Sequence, residues 1–140
     1  MQVKVKKINN GCIPVFKRDG DACADCYSNI SVAIASKSRV IIPLGFALEI
    51  PEGYEGVIRP RSGMTSKEID AAIGTIDSNY RGELKAVIIN DSDKKITISK
   101  GDRICQLAIR KTEHITFEEV DELSETERGS NGFGSSGIRG

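Results

Sequence analysis

Short runs rich in Val and Ile recur along the chain. Several alternate apolar with polar residues, the period of two that turns one face of a strand toward a core. The runs are Val3–Ile8, Ile30–Ala35, Arg39–Ile42, Phe46–Ile50, Glu55–Ile58, Leu84–Ile89, Lys95–Ile98, Arg103–Ile109 and Ile115–Val120. Turn-forming residues punctuate them at Pro43-Leu-Gly45, Pro51-Glu-Gly53, Asn90-Asp-Ser-Asp93 and Lys100-Gly-Asp102. This spacing predicts an all-β barrel or sandwich. One segment breaks the pattern. Ser62–Ala72 predicts one or two helical turns, with Ser or Thr as cap.

The last stretch has no such periodicity. Five of the final twelve residues are Gly, which costs too much backbone entropy inside a helix or strand. Among the glycines stand Arg128, Phe133, Ser135 and Ser136, residue types that grip phosphates and stack on flat rings. Most Gly/Ser-rich ends are simply disordered, so the tail alone does not decide between an idle end and a binding arm. The expected organisation is a β domain over 1–126 and a glycine-rich arm over 127–140.

At 140 residues the chain has length for one domain with a proper core, needing neither disulfides nor metal for stability. Lys+Arg and Asp+Glu are 20 each, so the net charge is zero, unlike the basic surface that nucleic-acid binding demands. Any anionic ligand must be held by a local cluster. No apolar run approaches the ~20 residues of a membrane span. The opening Met-Gln-Val-Lys-Val-Lys-Lys lacks the apolar segment of a signal peptide. The expected location is the cytoplasm, or the nucleus in a host that has one. Cys23-Ala-Asp-Cys26 has C-x-x-C spacing, but no second pair completes a zinc site, and the single His114 has no ligand spacing to it. The expectation for Cys12, Cys23, Cys26 and Cys105 is four reduced thiols.

Three segments carry candidate chemistry. Gly74-Thr-Ile-Asp-Ser-Asn-Tyr-Arg-Gly82 suggests a hairpin whose backbone can face a ligand, with Asp77 as one carboxylate and Tyr80 three residues on. An ordinary turn with an Asx cap would explain the same residues. In Arg59-Pro-Arg-Ser-Gly63, Ser-Gly at a helix start offers free N–H groups to an anion, and Arg61 adds a forked donor. A plain cap with solvated arginines explains it equally. In Gly101–Leu107, Arg103 and Gln106 are polar residues in an otherwise apolar strand.

Taken in order, these segments resemble the five motifs of the trimeric dUTPase (dUTP nucleotidohydrolase) family. The matching stretches are Asp21–Tyr27, Pro60–Met64, Gly74–Gly82, Gly101–Leu107 and Arg128–Gly137, with Ile50-Pro-Glu-Gly-Tyr-Glu-Gly56 between. The resemblance implies a distorted β-barrel of jelly-roll type, with one short helix and a flexible C-terminal arm. It implies hydrolysis of dUTP to dUMP and pyrophosphate, which keeps uracil out of DNA and supplies dUMP for dTMP synthesis. It further implies a homotrimer with sites between subunits. Asp77 is then the base that activates the water attacking the α-phosphorus. Mg²⁺ rides on the triphosphate, and Asp25 holds it through water. Arg61, Ser62 and Gly63 form the phosphate turn, with Gln106 and Arg103 as further phosphate-side contacts. Tyr80 packs under the deoxyribose and excludes a 2′-hydroxyl. Uracil is read by the hairpin, with Gly74, Ile76 and Lys85 among its contacts. Arg128, Phe133, Gly134, Ser135 and Ser136 close over base and phosphates as a lid.

The chain departs from the family pattern at Cys23, where Gly is usual, and at Cys26, where Leu or Ile is usual. Asn79, Ser136 and Met64 replace a common Asp, Thr and Leu. The dCTP deaminases share the implied fold and the Arg-Ser turn, but the Ile-Asp-Ser-Asn-Tyr order and the Phe-bearing tail point to the dUTPases. A non-catalytic relative would not need Asp25, Asp77, Arg128 and Phe133 together.

Overall fold

The computed structural model describes all 140 residues. The alternating runs form short strands: β1 (Lys4–Lys7), β2 (Ala24–Tyr27), β3 (Val32–Ile34), β4 (Ser38–Pro43), β5 (Phe46–Glu49) and β6 (Tyr54–Arg59). A single helical turn, α1 (Ser62–Thr65), separates these from β7 (Ile69–Ala71), β8 (Gly74–Ile76), β9 (Lys85–Asn90), β10 (Ile96–Ile98) and β11 (Arg103–Lys111). All pairing is antiparallel. The strands sort into a four-stranded sheet, β2-β11-β6-β8, a three-stranded sheet, β4-β9-β7, and two ribbons, β1-β5 and β3-β10. The fold is all-β and jelly-roll-like, and its hydrogen-bond ladders do not close into one ring.

One cluster of 17 buried side chains draws on every sheet, with Phe46, Ile42, Leu44, Ile88 and Ile104 at its centre. On β9 the alternation is literal: Ala86, Ile88 and Asn90 are buried while Lys85 is exposed. Asn90 is a buried amide that meets its needs in full. Its Nδ2 donates toward the carbonyls of Ile34, Ala35 and Lys94, and its Oδ1 accepts from Ser92. Such an amide, once paired, fixes how its neighbours meet; unpaired it would cost a few kcal/mol, roughly 1–3. Gly45 makes the sharp β4–β5 turn with φ +79°, and its backbone lies so close to Gly11 that a side chain at Gly11 would overlap it. Beyond this turn the Leu84 N–H donates to the Phe46 carbonyl (2.9 Å), and Leu44 N–H to the Leu84 carbonyl (3.0 Å). These bonds anchor the far end of the Gly74–Gly82 hairpin to the core.

Three expectations are corrected. Ala24–Tyr27 is a strand, though its Asp and Cys disguise it. The segment Ser62–Ala72 holds one helical turn as expected, over Ser62–Thr65, but its N-cap is Arg61 rather than Ser or Thr, without a side-chain cap bond, and Glu68 at φ +63° stops it. Ile69–Ala71 and Gly74–Ile76 are then free to pair with β9 and β6. Ile115–Val120 forms no strand, despite its alternation, and all of it is exposed. Alternation stabilises a strand only where a partner edge and a core face are at hand. The barrel's own bonds to this end of the chain stop at Thr112, whose N–H donates to the Gly53 carbonyl (2.8 Å). No helix is long and apolar enough to cross a membrane.

Candidate active site

Strand β8 lies at the open edge of its sheet, so its outer N–H and C=O groups have no strand partner. Alternation turns Ile76 inward, only 8% exposed, and the next residue, Asp77, into solvent. A tight turn follows, with Tyr80 N–H donating to the Asp77 carbonyl (3.0 Å). The Tyr80 hydroxyl donates to the Glu83 carbonyl (3.0 Å), which lays the ring along the hairpin. Gly82 makes room for it: a Cβ there would collide with the phenol ring. Thr75, Ile76, Asp77, Tyr80, Leu84 and Lys85 line one cavity of about 290 Å³ with Glu83. Glu83 Oε2 is buried against this cavity without a hydrogen-bond partner. No pattern in the sequence pointed to Glu83.

The second cluster is built on β2 and β11. Asp25 pairs with Gln106 across the two strands and is 6% exposed. Its Oδ1 lies 3.4 Å from Arg61 Nε and 3.3 Å from Gln106 Nε2, and its Oδ2 lies 3.4 Å from Arg103 Nη1. Arg61 Nη1 also donates to the Arg103 carbonyl (2.8 Å), so both guanidinium groups are fixed against one carboxylate. Positive charge thus faces both oxygens of this buried carboxylate. Ser62 and Gly63 are exposed at the start of α1, one and two residues beyond Arg61. A cavity of about 350 Å³ opens on the cluster, lined by Lys17, Arg18, Asp21, Cys23, Asp25, Arg61, Arg103 and Gln106, with Ala22. Sequence reasoning passed over Lys17 and Arg18, which sit in a loop without periodicity, and gave Asp21 no role beyond opening a motif stretch.

Cys26 and Cys105 face one another across β2 and β11, both fully buried. The hydrogen bond to Cys105, and then burial, push the Cys26 thiol well above its ordinary range. It is a protonated packing group. No set of three His, Cys, Asp or Glu converges as a metal cage.

The two clusters share no lining residue: the structure joins Asp25, Arg61, Arg103 and Gln106, and separately joins Ile76, Asp77, Tyr80 and Lys85 with the Gly74 strand. The tail joins neither. Arg128 Nε donates to the Asn131 carbonyl (2.9 Å), Ser135 N–H to Gly132, and Gly137 N–H to Gly134, all within the tail. Phe133 is fully exposed, and Gly134, Ser135 and Ser136 beside it are exposed too.

A β-protein with a cavity on an edge strand and a carboxylate–arginine cluster has clear relatives. The dUTPase family profile matches residues 9–137. The chain is 42% identical over 142 residues to the deoxyuridine 5′-triphosphate nucleotidohydrolase of Finegoldia magna, spanning 98% of this chain and 99% of that one. It is 48% identical over 130 residues to the protein of that name in Corynebacterium diphtheriae, spanning 90% and 86%. Among solved structures, the Staphylococcus bacteriophage 80alpha dUTPase with dUpNHpp superposes with a TM-score of 0.90 at 32% identity, covering 98% of this chain and 99% of that one. The chain belongs to the dUTPase family.

Proposed function

We propose that this protein hydrolyses dUTP to dUMP and pyrophosphate. The observation that carries the reading is the 290 Å³ cavity where Asp77 stands beside Tyr80 on an open strand edge. Uracil presents an acceptor, a donor and an acceptor at O4, N3–H and O2, and fixed backbone groups of β8 complement such an edge. Cytosine would meet them with mismatched donors. Tyr80, held by Glu83 and Gly82, fills the space of a 2′-hydroxyl. Asp77, solvent-facing at the cavity wall, takes the proton of the water that attacks the α-phosphorus. A positioned carboxylate supplies part of the rate; neutralising the phosphate charge supplies much of the rest.

Phosphates are assigned to Arg61, Ser62, Gly63, Gln106 and Arg103. Asp25 fits Mg²⁺: it is one hard oxygen donor at a cavity wall, and Mg²⁺ takes one or two carboxylates and fills its shell with water and substrate phosphate. When bound, the ion neutralises charge on the phosphates. Arg128, Phe133, Gly134, Ser135 and Ser136 are assigned to a lid that orders on substrate, since the tail makes only local bonds. The family points to a homotrimer, in which one copy's hairpin would complete another's phosphate cluster; within this chain the two clusters line separate cavities. The dUMP formed would feed dTMP synthesis.

The test is pyrophosphate release from dUTP, dCTP, UTP and dTTP, side by side with Mg²⁺. Rapid release from dUTP alone is expected. Comparable release from UTP or dCTP overturns the assignment of sugar and base selection to the hairpin.

A further inference from the structure

The cavity over Asp25 is more basic than the phosphate assignment requires. Four cations line it, Lys17, Arg18, Arg61 and Arg103, against two carboxylates, Asp21 and Asp25. They divide into two kinds. Arg61 and Arg103 are already engaged by Asp25. Lys17 and Arg18 make no ion pair and no side-chain hydrogen bond, and both are exposed at the cavity rim.

Their backbone is not left to chance. Val15 and Asp25 exchange both backbone hydrogen bonds, 2.8 and 3.1 Å, which docks the segment before Lys17 onto the edge of β2. Arg18 N–H donates to Asp21 Oδ2 (2.9 Å), and Asp21 N–H returns to the Arg18 carbonyl (3.2 Å). That closed turn, with Gly20 at φ +88°, also occupies one of the two carboxylates. Lys17 reaches further, lining in addition the adjoining cavity of about 780 Å³ with Lys67, Arg61 and Arg103. Two free cations on a braced loop, next to two engaged ones, are an anion-binding arrangement awaiting a ligand with several charged oxygens.

We propose that Lys17 and Arg18 form a subsite for the pyrophosphate end of the nucleotide, and for pyrophosphate after cleavage. The inference rests on the dUTPase reading for its ligand. Arg61 and Arg103 sit near the metal carboxylate, while Lys17 and Arg18 lie on the rim and take the charge that extends outward. The chain's own loop, Phe16-Lys-Arg-Asp-Gly20, thereby adds to the holding of phosphate without touching the reacting atoms.

The experiment is calorimetric titration of the full-length protein with inorganic pyrophosphate and, separately, dUMP, both with Mg²⁺. The wild type is compared with the Lys17→Gln, Arg18→Gln double variant and with each single one. Neither side chain has a partner to lose, so thermal melting should not move. The double variant should bind pyrophosphate roughly tenfold more weakly, each single about threefold, the usual scale of a charge-assisted phosphate contact. Affinity for dUMP should be unchanged, and in turnover of dUTP the rise in KM should exceed the change in kcat. Unchanged pyrophosphate affinity, or an equal loss for dUMP, overturns the subsite. No turnover of dUTP by the wild type, alongside the pyrophosphate-specific loss, would instead remove the dUTPase reading and leave an anion site.

Discussion

The two cavities of this molecule are built in opposite ways. Around Asp77 the work falls to backbone: an open strand edge, a turn, and one aromatic ring laid flat by a carbonyl and a missing Cβ. Around Asp25 it falls to side chains, with a buried acid clasped by two arginines and a glutamine. Backbone positions are set by the fold and suit a neutral, flat base whose identity lies in hydrogen-bond order. Charged side chains suit phosphates, which differ in number rather than in pattern. The acid of the first region is exposed and carries no structural burden. That of the second is buried and holds two cations in place.

The contrast predicts different outcomes for removing each acid. Asp77→Asn should cut kcat roughly 10²–10⁴-fold, the contribution of a positioned base, while leaving KM for dUTP nearly as it was. Steady-state kinetics read this, and unaltered turnover would show that Asp77 is not the base. Its unfolding free energy should stay within about 0.5 kcal/mol, as for other exposed positions. A chain ending at Glu127 should melt and assemble like the full chain, yet hydrolyse dUTP very poorly, because the tail's bonds reach no further back than Thr126. A collapse of the melting transition on truncation would place the tail in the fold.

Asp25→Ala should behave in the other way. It strands Arg61 and Arg103, so chemical denaturation should show a loss of about 1–3 kcal/mol, the cost of leaving partly buried polar groups unpaired. Equal stabilities for the Asp25 and Asp77 variants would erase the difference between the regions. Gly82→Ala probes the backbone side most finely. Its Cβ must displace Tyr80, so the rate on UTP relative to dUTP should rise in the direction of Tyr80→Ala, but by less. No change in that ratio for either variant would move sugar selection elsewhere.

Much of the β framework was legible because burial follows alternation: β4, β5, β6 and β9 each fall within about one residue of a predicted run, and β11 starts with its run and extends two residues past it. Strand β2 was not, because Asp25 and Cys26 put a polar site residue and a thiol where aliphatic residues would announce a strand. Strand β7 was masked by the helical reading of Ser62–Ala72, and β8 lies in the stretch read as a hairpin with no strand named in it. Ile115–Val120 shows the opposite failure, a good pattern with no partner edge in its own chain. The candidate site followed the same rule. Asp77 and Tyr80 are neighbours in one turn and could be taken together from the sequence. The Asp25–Arg103 contact joins residues 78 apart and is visible only once β2 and β11 pair. Lys17 and Arg18 lie in a loop, where charge has no period to give it away.

The clasp on Asp25 has a thermodynamic meaning beyond holding the strands. On the proposed reading, Arg61 and Arg103 already have a counter-charge, so a polyphosphate would not meet naked charge. Asp25 would turn to the cation that accompanies the ligand, and the arginines it releases would take the phosphate oxygens. Affinity is then the difference between two sets of ion pairs, and fewer small ions are displaced from the protein than the number of contacts formed. Such an exchange is buffered against changes in ionic strength, whereas the unpaired Lys17 and Arg18 feel salt in full. The inner grip and the outer grip on one ligand would thus answer differently to the same surroundings.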